Sequence, residues 1–117
     1  MDNENKIDEK IFHMRFQNDN ARWWCLRLEA QIKDFTAKLP PNMDLHCFAT
    51  VNGIVVDVDD VAFWNPDMIM FIGQRRGGGF CRLCAHTSQI SLVLEAEPQK
   101  ANTPRKTIGF APVEPTL

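Results

Sequence analysis

The run Gln74-Arg75-Arg76-Gly77-Gly78-Gly79 places two fixed positive charges beside three residues that lack a side chain. Guanidinium groups form strong, charge-assisted hydrogen bonds with phosphate and carboxylate oxygens. Consecutive glycine amides can form a concave set of N–H donors, a nest, that binds an anion. The same composition is typical of a hairpin turn, because glycine adopts the backbone conformations that tight turns need. The run therefore predicts either an anion site or a plain turn.

Other side chains in the second half of the chain could complete a site for a ligand that carries both phosphate and a flat base. Further cations near the predicted strand ends are Arg82, Arg105 and Lys106. Aromatic rings on which a base could stack include Phe63, Trp64, Phe71, Phe80 and Phe110. Short polar side chains that could read a base edge include His86, Ser88, Gln89 and Ser91. Each group alone is also typical of an ordinary core or surface, but together they favour a nucleotide-like anion as ligand.

Catalytic arrangements are weaker in this sequence than binding ones. Ser88 and Ser91 near His86 could be a hydrolytic set, but no Gly-x-Ser-x-Gly motif is present. The three aspartates between positions 57 and 60 follow the alternation of a solvated strand face rather than a calcium-binding loop. The glycine run also lacks the Gly-Lys-Ser/Thr ending of a nucleotide-hydrolysing loop. We therefore expect a protein without catalytic residues and without a bound metal.

The four cysteines are expected to be reduced structural thiols. Cys81 and Cys84 have the spacing of a redox or zinc motif, but they fall in a segment predicted to be a strand. Residues three apart in a strand point to opposite faces, so these thiols would not converge on one metal. Only His86 would share a face with Cys84, and two ligands do not make a zinc site. No cofactor is predicted.

The bulk composition describes one ordinary globular domain. The chain has 117 residues with a formal net charge of −2, and 44% of its residues are hydrophobic. That charge argues against a broad basic face for duplex nucleic acid. No apolar run approaches the length of a membrane span. The first residues do not resemble a secretion signal, so a cytoplasmic protein is expected.

An amphipathic helix is predicted at the start of the domain. Asp19 or Asn20 can cap it, and Pro40-Pro41 ends it. Between them, apolar residues recur at spacings of three and four, as expected for one buried helix stripe: Ala21, Trp24, Leu28, Ile32, Phe35 and Leu39. The other side is charged, and Trp23 lies off the stripe, where it could contact a partner.

After the helix the hydrophobic period changes to two, which is typical of strands. The predicted strands cover residues 45–51, 54–61, 68–73 and 80–96, the last as one long strand or one interrupted by a bulge near His86 to Gln89. Asn52-Gly53 is a strong hairpin signal, and Ile108-Gly109-Phe110 is a short closing segment. The fold class predicted is α+β, with the N-terminal amphipathic helix packed on a four- to five-stranded antiparallel sheet in two layers.

Three regions are predicted along the chain: a polar N-terminal arm at residues 1–19, a single ligand-binding domain at 20–111 and a C-terminal tail at 112–117. One helix cannot cover both faces of the sheet. The strands at 68–72 and 90–94 show little polar alternation, which suggests cover on both faces. A homo-oligomer would supply that cover.

Three segments resemble the motifs of one known family. Residues 65–73 resemble an Asn-Pro, apolar strand, Phe-x-Gly pattern, and residues 86–89 resemble a His-x-Ser-Gln pattern. Residues 104–110 resemble a closing basic–Ile-Gly-Phe element. With the preceding helix, residues 20–110 look like the first family of Thoeris anti-defence proteins, which are phage sponges for cyclic ADP-ribose signals.

The resemblance implies a viral protein that acts in the cytoplasm of an infected bacterium. Members of the family bind the glycocyclic ADP-ribose isomers made by bacterial TIR-domain enzymes and do not cleave them. Some also bind the cyclic trinucleotides of CBASS immunity at a separate site, and members form homohexamers built as trimers of dimers. For this chain the resemblance implies a cyclic nucleotide ligand and a dimer-based oligomer.

By motif, the resemblance implies base stacking by Phe71 or Phe80, recognition of the base edge by Gln89 or Ser91, and phosphate binding by Arg105. Arg27, on the polar side of the helix, could reach across a dimer. The predicted ligand set also contains Arg82 and Lys106, and the predicted second anion site consists of Arg75, Arg76, Gly77 and Gly78. The Arg-Arg-Gly-Gly-Gly cluster departs from the family pattern, so the resemblance leaves ligand preference open. The alternative function is a small module that inhibits a bacterial defence protein through Trp23, Trp24 and the N-terminal arm.

Overall fold

The computed structural model describes residues 20–110, so the predicted arm at 1–19 and tail at 112–117 lie outside the described residues. Within residues 20–110 one helix precedes the strands and packs on an antiparallel sheet, which confirms the predicted two-layer α+β class. The elements are α1 (Asn20–Ala37), β1 (Met43–Val51), β2 (Ile54–Trp64), β3 (Met68–Arg75), β4 (Phe80–His86), a 3₁₀ turn (Thr87–Gln89), β5 (Leu92–Pro98) and β6 (Gly109–Phe110).

The first five strands form one antiparallel sheet in the order β4-β3-β2-β1-β5. The β1–β2 hairpin turns through Asn52 and Gly53, whose φ angles are 51° and 82°. Two positive φ angles are what a type I′ turn requires, because its twist matches that of the flanking strands. The predicted hairpin is confirmed.

The helix packs on one face of this sheet and buries the main core. The core residues are Ala21, Cys25, Ile32, Leu45, Cys47, Ala49, Val56, Val58, Val61, Phe63, Ile69, Phe71 and Leu83. The other sheet face, called here the open face, carries the alternate residues of each strand. At its centre Met70 is 5% exposed and Ala62 is 1% exposed. The middle of β3 is therefore buried on both faces, as its continuous apolar sequence predicted.

The single long strand predicted between Phe80 and Ala96 is wrong. β4 and β5 lie at opposite edges of the sheet, joined through the 3₁₀ turn. The His86 side chain caps this turn by accepting from the Ser88 amide, and the Gln89 side chain accepts from the His86 amide. These local hydrogen bonds compete with the strand ladder and end β4.

β1 and β2 pair only near their hairpin, from Phe48↔Asp57 to Val51↔Ile54. Further along, β1 pairs with β5 alone, and β6 lies beside β2 in parallel at Asp60 and Val61. β2 also contains a bulge between Val58 and Asp60. The bulge adds one residue to the strand, so the alternation predicted through Asp57 and Asp59 ends there.

The helix ends define two distant corners of the molecule. At its beginning, the Ala21 amide donates to the Pro66 carbonyl at 2.7 Å and Asn20 Nδ2 donates to Thr87 Oγ1 at 3.1 Å. At its end, the segment from Thr103 to Phe110, called here the strap, runs past the helix and into β6.

Within residues 20–110, no helix is long and apolar enough to span a membrane.

Candidate functional site

The glycine run forms the turn between β3 and β4 and is also tied to β2. The Arg75 amide donates to the Gly79 carbonyl, the Gly78 amide donates to the Arg75 carbonyl and the Arg76 amide donates to the Val55 carbonyl, each at 2.9 Å. Gly77 has a φ of 76°, a conformation that side chains disfavour. One of the glycine amides proposed for a nest, that of Gly78, is therefore used within the protein.

An exposed aromatic ring stands directly beside this turn. Phe80 is 74% exposed and is the one large hydrophobic residue classed as exposed within residues 20–110. It opens β4 opposite Gln74, and Arg82 lies two residues further along the same open face. Gln74, Arg75, Phe80 and Arg82 are called here the β3–β4 corner.

The cations of the corner differ in their partners. The guanidinium groups of Arg75 and Arg82 have neither a hydrogen bond nor an ion pair within the described part of the chain, and both residues are exposed. Arg76 is held: its Nη2 lies 3.1 Å from Asp57 Oδ1 and 3.1 Å from His46 Nε2. Its guanidinium carbon also stands 4.5 Å from the centre of the Phe48 ring. Arg75 and Arg82 are thus available to a ligand, whereas Arg76 must exchange a partner to bind one.

The group that holds Arg76 spans three strands of the open face. His46 on β1 lies between two carboxylates: its Nε2 is 2.9 Å from Asp57 Oδ1 on β2, and its Nδ1 is 3.0 Å from Glu95 Oε1 on β5. The hydrogen bond with Asp57 raises the pKa of His46 above its usual value, against a smaller opposing effect of burial. Partial burial disfavours the Asp57 carboxylate, but hydrogen bonds from His46 and Arg76 outweigh it and lower its pKa.

The strap uses both of its predicted ligand cations as internal ties. Arg105 Nη2 donates to the Pro40 carbonyl at 2.6 Å. The Lys106 ammonium pairs with the Asp59 carboxylate, and the Lys106 amide donates to Asp44 Oδ1 at 2.9 Å. Asp59 is presented by the β2 bulge. These contacts close the opening between β1 and β2.

Two cavities flank the strap. One of about 350 Å³ lies between the end of the helix and β6, and it is lined by Ile32, Lys33, Thr36, Ala37, Leu45, Lys106, Thr107, Ile108 and Phe110. The other, of about 320 Å³, lies on the side of β5 and contains Asp44, Glu97, Lys100 and Thr103. Neither cavity contains Phe71, Phe80, Gln89 or Ser91 in its lining. The predicted combination of base-stacking rings with Arg105 is therefore absent from both.

The remaining predicted residues are dispersed. Phe71 is 0% exposed in the core, so its predicted stacking on a ligand is wrong for this fold. Gln89 caps the 3₁₀ turn, and Ser91 accepts from the Thr50 amide through its carbonyl. Arg27 is exposed on the helix with its guanidinium 5.5 Å from the Trp23 ring.

The predicted main pocket is not assembled within one chain. Gln89 belongs to the turn beside the helix N-terminus, and Arg105 is bound to Pro40 beyond its C-terminus. The helix has 18 residues, which corresponds to a length of about 27 Å. The sheet does bring Phe80 and Arg82 to one face of β4, next to the turn that contains Arg75 and Arg76. By register, Arg75 itself lies opposite Val56 on the other face.

Four residues around Arg76 were missed: His46, Phe48, Asp57 as an arginine partner, and Glu95. The period-two pattern places His46 and Phe48 on one face of β1, but strand order and register bring Asp57 and Glu95 beside them. One row of the open face runs Val93, Phe48, Asp57, Gln74, Phe80 across all five strands. The local sequence does not show which residues share that row, because strand order and register set it.

A Ser-His-Asp line lies at the far end of β4. His86 Nδ1 is 2.8 Å from Ser88 Oγ, and His86 Nε2 is 3.2 Å from Asp67 Oδ2. However, Nδ1 also accepts from the Ser88 amide at 3.1 Å, and a base whose lone pair is occupied by a capping bond is poorly placed to take the serine proton. We interpret the line as the cap of the 3₁₀ turn.

The cysteines behave as predicted for strand and core positions. Cys81 is half-buried and Cys84 is exposed, on opposite faces of β4. Burial raises the pKa of the Cys25 thiol to about 12 and that of Cys47 to about 11. Between Asn20 and Phe110, no three His, Cys, Asp or Glu side chains are grouped to hold a metal ion.

Comparison with known proteins yields no relative: no family model matches the chain, and neither a curated protein nor a solved structure is significantly similar to it.

Proposed function

We propose that this chain is a phage anti-defence sponge that binds a cyclic nucleotide immune signal without cleaving it. The β3–β4 corner is the proposed binding surface, and the carrying observation is the exposed Phe80 ring on the same sheet face as Arg82, whose guanidinium has no partner within residues 20–110. The family resemblance points to glycocyclic ADP-ribose of TIR-domain systems as the ligand, and to CBASS cyclic trinucleotides as a second class. The proposed place of action is the cytoplasm of the infected bacterium.

The corner has the chemistry that such a ligand needs. A base stacked on an exposed ring contributes about 1–3 kcal/mol. A hydrogen bond between a guanidinium and a phosphate oxygen contributes about 1.5–3 kcal/mol. On the open face, Phe80 supplies one stacking surface, Arg82 supplies one such cation, and Gln74 can read a base edge. Arg75 in the adjoining turn is exposed and adds a second positive charge nearby.

Four of the predicted ligand residues could contribute to one binding site only if two or more subunits associate: Arg27, Gln89, Ser91 and Arg105. Gln89 and Arg105 lie at opposite ends of the helix, so a pocket that combines them requires two subunits. The proposed state is a dimer-based homo-oligomer, up to a hexamer. Analytical ultracentrifugation tests it: a monomer at micromolar concentration, with or without ligand, would remove these four residues from the site.

The function is tested by capture and release of the signal. The full chain is incubated with glycocyclic ADP-ribose, separated from free ligand and heated, and the released material is analysed by mass spectrometry. We expect stoichiometric release of intact ligand. A cleaved product, or no retained ligand, contradicts the proposal.

Matched variants locate the site. Phe80→Ala and Arg82→Gln are expected to lower retention at least tenfold, because each removes one of the interactions above. Lys33→Gln, an equal charge change on the helix, is the control and is expected to retain the ligand, since the exposed Lys33 side chain forms an ion pair only with Glu29 in the described structure. Equal loss in all three variants would contradict a site at the corner.

The open face also favours the second candidate function, a module that inhibits a bacterial defence protein. β4 and β5 are the outer strands of the five-stranded order, and an outer strand can pair with a strand of a partner. Phe80 would then be an anchor for a protein rather than a stacking ring. A stable protein complex that is lost in Phe80→Ala, together with no thermal shift from any cyclic nucleotide, would favour this candidate.

A further inference from the structure

Three polar atoms around Arg76 form a triangle in which His46 cannot hydrogen-bond to both of its neighbours at once. His46 Nε2, Asp57 Oδ1 and Arg76 Nη2 lie 2.9–3.1 Å from one another. A guanidinium nitrogen only donates, and a carboxylate oxygen only accepts. His46 Nε2 can do either, so its protonation decides which of its two neighbours it binds.

Neutral His46 supports Arg76. With its proton on Nδ1, the ring donates to Glu95 Oε1, and the Nε2 lone pair accepts from Arg76 Nη2. Arg76 then has two acceptors, His46 Nε2 and Asp57 Oδ1, and it stacks on Phe48 as well. In this state the guanidinium is fully engaged by the sheet.

Protonation of His46 weakens the hydrogen bonds that hold Arg76. Both ring nitrogens are then donors, so Nε2–H competes with Arg76 for the same oxygen of Asp57 and faces the guanidinium as a like charge. The charged groups that face His46 are Asp57 from β2, Glu95 and Glu97 from β5, and Arg76 from the turn. The three carboxylates favour the imidazolium, and Arg76 opposes it.

We propose that His46 is a positioning residue whose protonation releases Arg76 from the open face, so that an anion at the β3–β4 corner is bound more tightly when His46 is charged. The inference rests on the proposed function. Asp57 lies two strands from Phe80 in the same row, a separation of about 10 Å, which the long Arg76 side chain can bridge. Anion binding and proton uptake at His46 then favour each other, as linkage requires.

The interaction between His46 and Arg76 can be tested without a ligand. The His46 imidazole is titrated by NMR in the full-length protein, with His86 as an internal control at the other end of the sheet. Arg76→Gln is expected to raise the His46 midpoint because a facing cation is removed, and Asp57→Asn is expected to lower it. An unchanged midpoint in Arg76→Gln would overturn the inference whatever the ligand.

The coupling to binding is tested with glycocyclic ADP-ribose as the probe, by calorimetry between about pH 5.5 and about pH 8.5. Its pyrophosphate stays fully ionised over this range, so any pH dependence comes from the protein. We expect the affinity to fall roughly three- to tenfold from the acidic to the alkaline end, and to be flat in His46→Gln but not in His86→Gln. A pH dependence of affinity that persists in His46→Gln overturns the inference. Absence of binding at every pH counts against the proposed function, and the NMR titration then decides whether His46 and Arg76 interact.

Discussion

Two pairs of basic residues look alike in the sequence and behave differently in the fold. Arg105 and Lys106 on the strap are bound to oxygens of the protein, Pro40 and Asp59. At the glycine turn, Arg76 is held by Asp57, while Arg75 has no described partner. A cation already paired inside the fold contributes to its closure. A cation without an internal partner is available to an external anion, and this difference decides which pair belongs to a binding surface.

The backbone explains why the two regions differ. The strap crosses the opening between β1 and β2, where the β2 bulge presents Asp59 and β1 presents Asp44 to Lys106. The glycine turn instead projects from the hairpin end, where most neighbouring surface is solvent. Among the described residues, Asp57 forms an ion pair with Arg76 and not with Arg75.

The largest expected effect is on stability, and it distinguishes Gly73, which packs against the β2 bulge, from Gly79 in the turn. A Cβ on Gly73 would lie 1.9 Å from the Asp57 carbonyl oxygen, whereas one on Gly79 would meet no atom within 4 Å. Gly73→Ala is therefore expected to destabilise the domain by more than about 3 kcal/mol, and Gly79→Ala by less than about 0.5 kcal/mol. Urea denaturation measures both. Similar stabilities for the two variants would show that the bulge does not require a close backbone approach at Gly73.

The next effect concerns affinity at the corner and the strap. Arg82→Gln is expected to weaken binding of glycocyclic ADP-ribose by about 1.5–3 kcal/mol, or roughly ten- to a hundredfold. For a site that lies wholly at the corner, Arg105→Gln, which removes a similar charge from the strap, should leave the affinity within about threefold. Isothermal calorimetry compares them. A larger loss in Arg105→Gln would place the ligand at the strap and reverse the comparison.

Lys106 should affect stability rather than binding. Its ion pair with Asp59 is partly exposed, with relative side-chain exposures of 36% and 46%, so Lys106→Met is expected to cost about 0.5–1 kcal/mol. Thermal denaturation with a ligand titration measures both properties. Unchanged stability together with lost affinity would make Lys106 a ligand residue.

The smallest effect is a pH dependence of stability that arises beside the corner and not at the strap. Because the pKa of His46 is raised in the folded protein, its contribution is fully present below the ordinary histidine pKa and is lost as the pH rises through the folded value. The stability difference between wild type and His46→Gln should therefore be largest near about pH 6 and shrink by about pH 8. A difference that grows with pH would contradict the ion pairs of His46 with Asp57 and Glu95.

The local sequence determined the helix and the first hairpin of this protein. The stripe from Ala21 to Leu39, the break at Pro40-Pro41 and the Asn52-Gly53 turn specify a helix and a hairpin through side-chain periodicity and backbone preference. These interactions are short in range, so they can be read residue by residue. The opposite faces of Cys81 and Cys84 follow in the same way from the period of a strand.

Only the tertiary structure decided which side chains act together. The cap at His86 split one predicted strand into two, and the placement of those strands at opposite edges set the row that joins Phe48, Asp57 and Phe80. Phe71 was predicted to stack on a ligand, but the strand face on which it lies is the one the helix covers. Arg105 was predicted to bind phosphate, but it is bound to Pro40. Strand order and register depend on long-range packing, and so the sequence alone determined which cations exist, while the fold determined which of them remain available to a ligand.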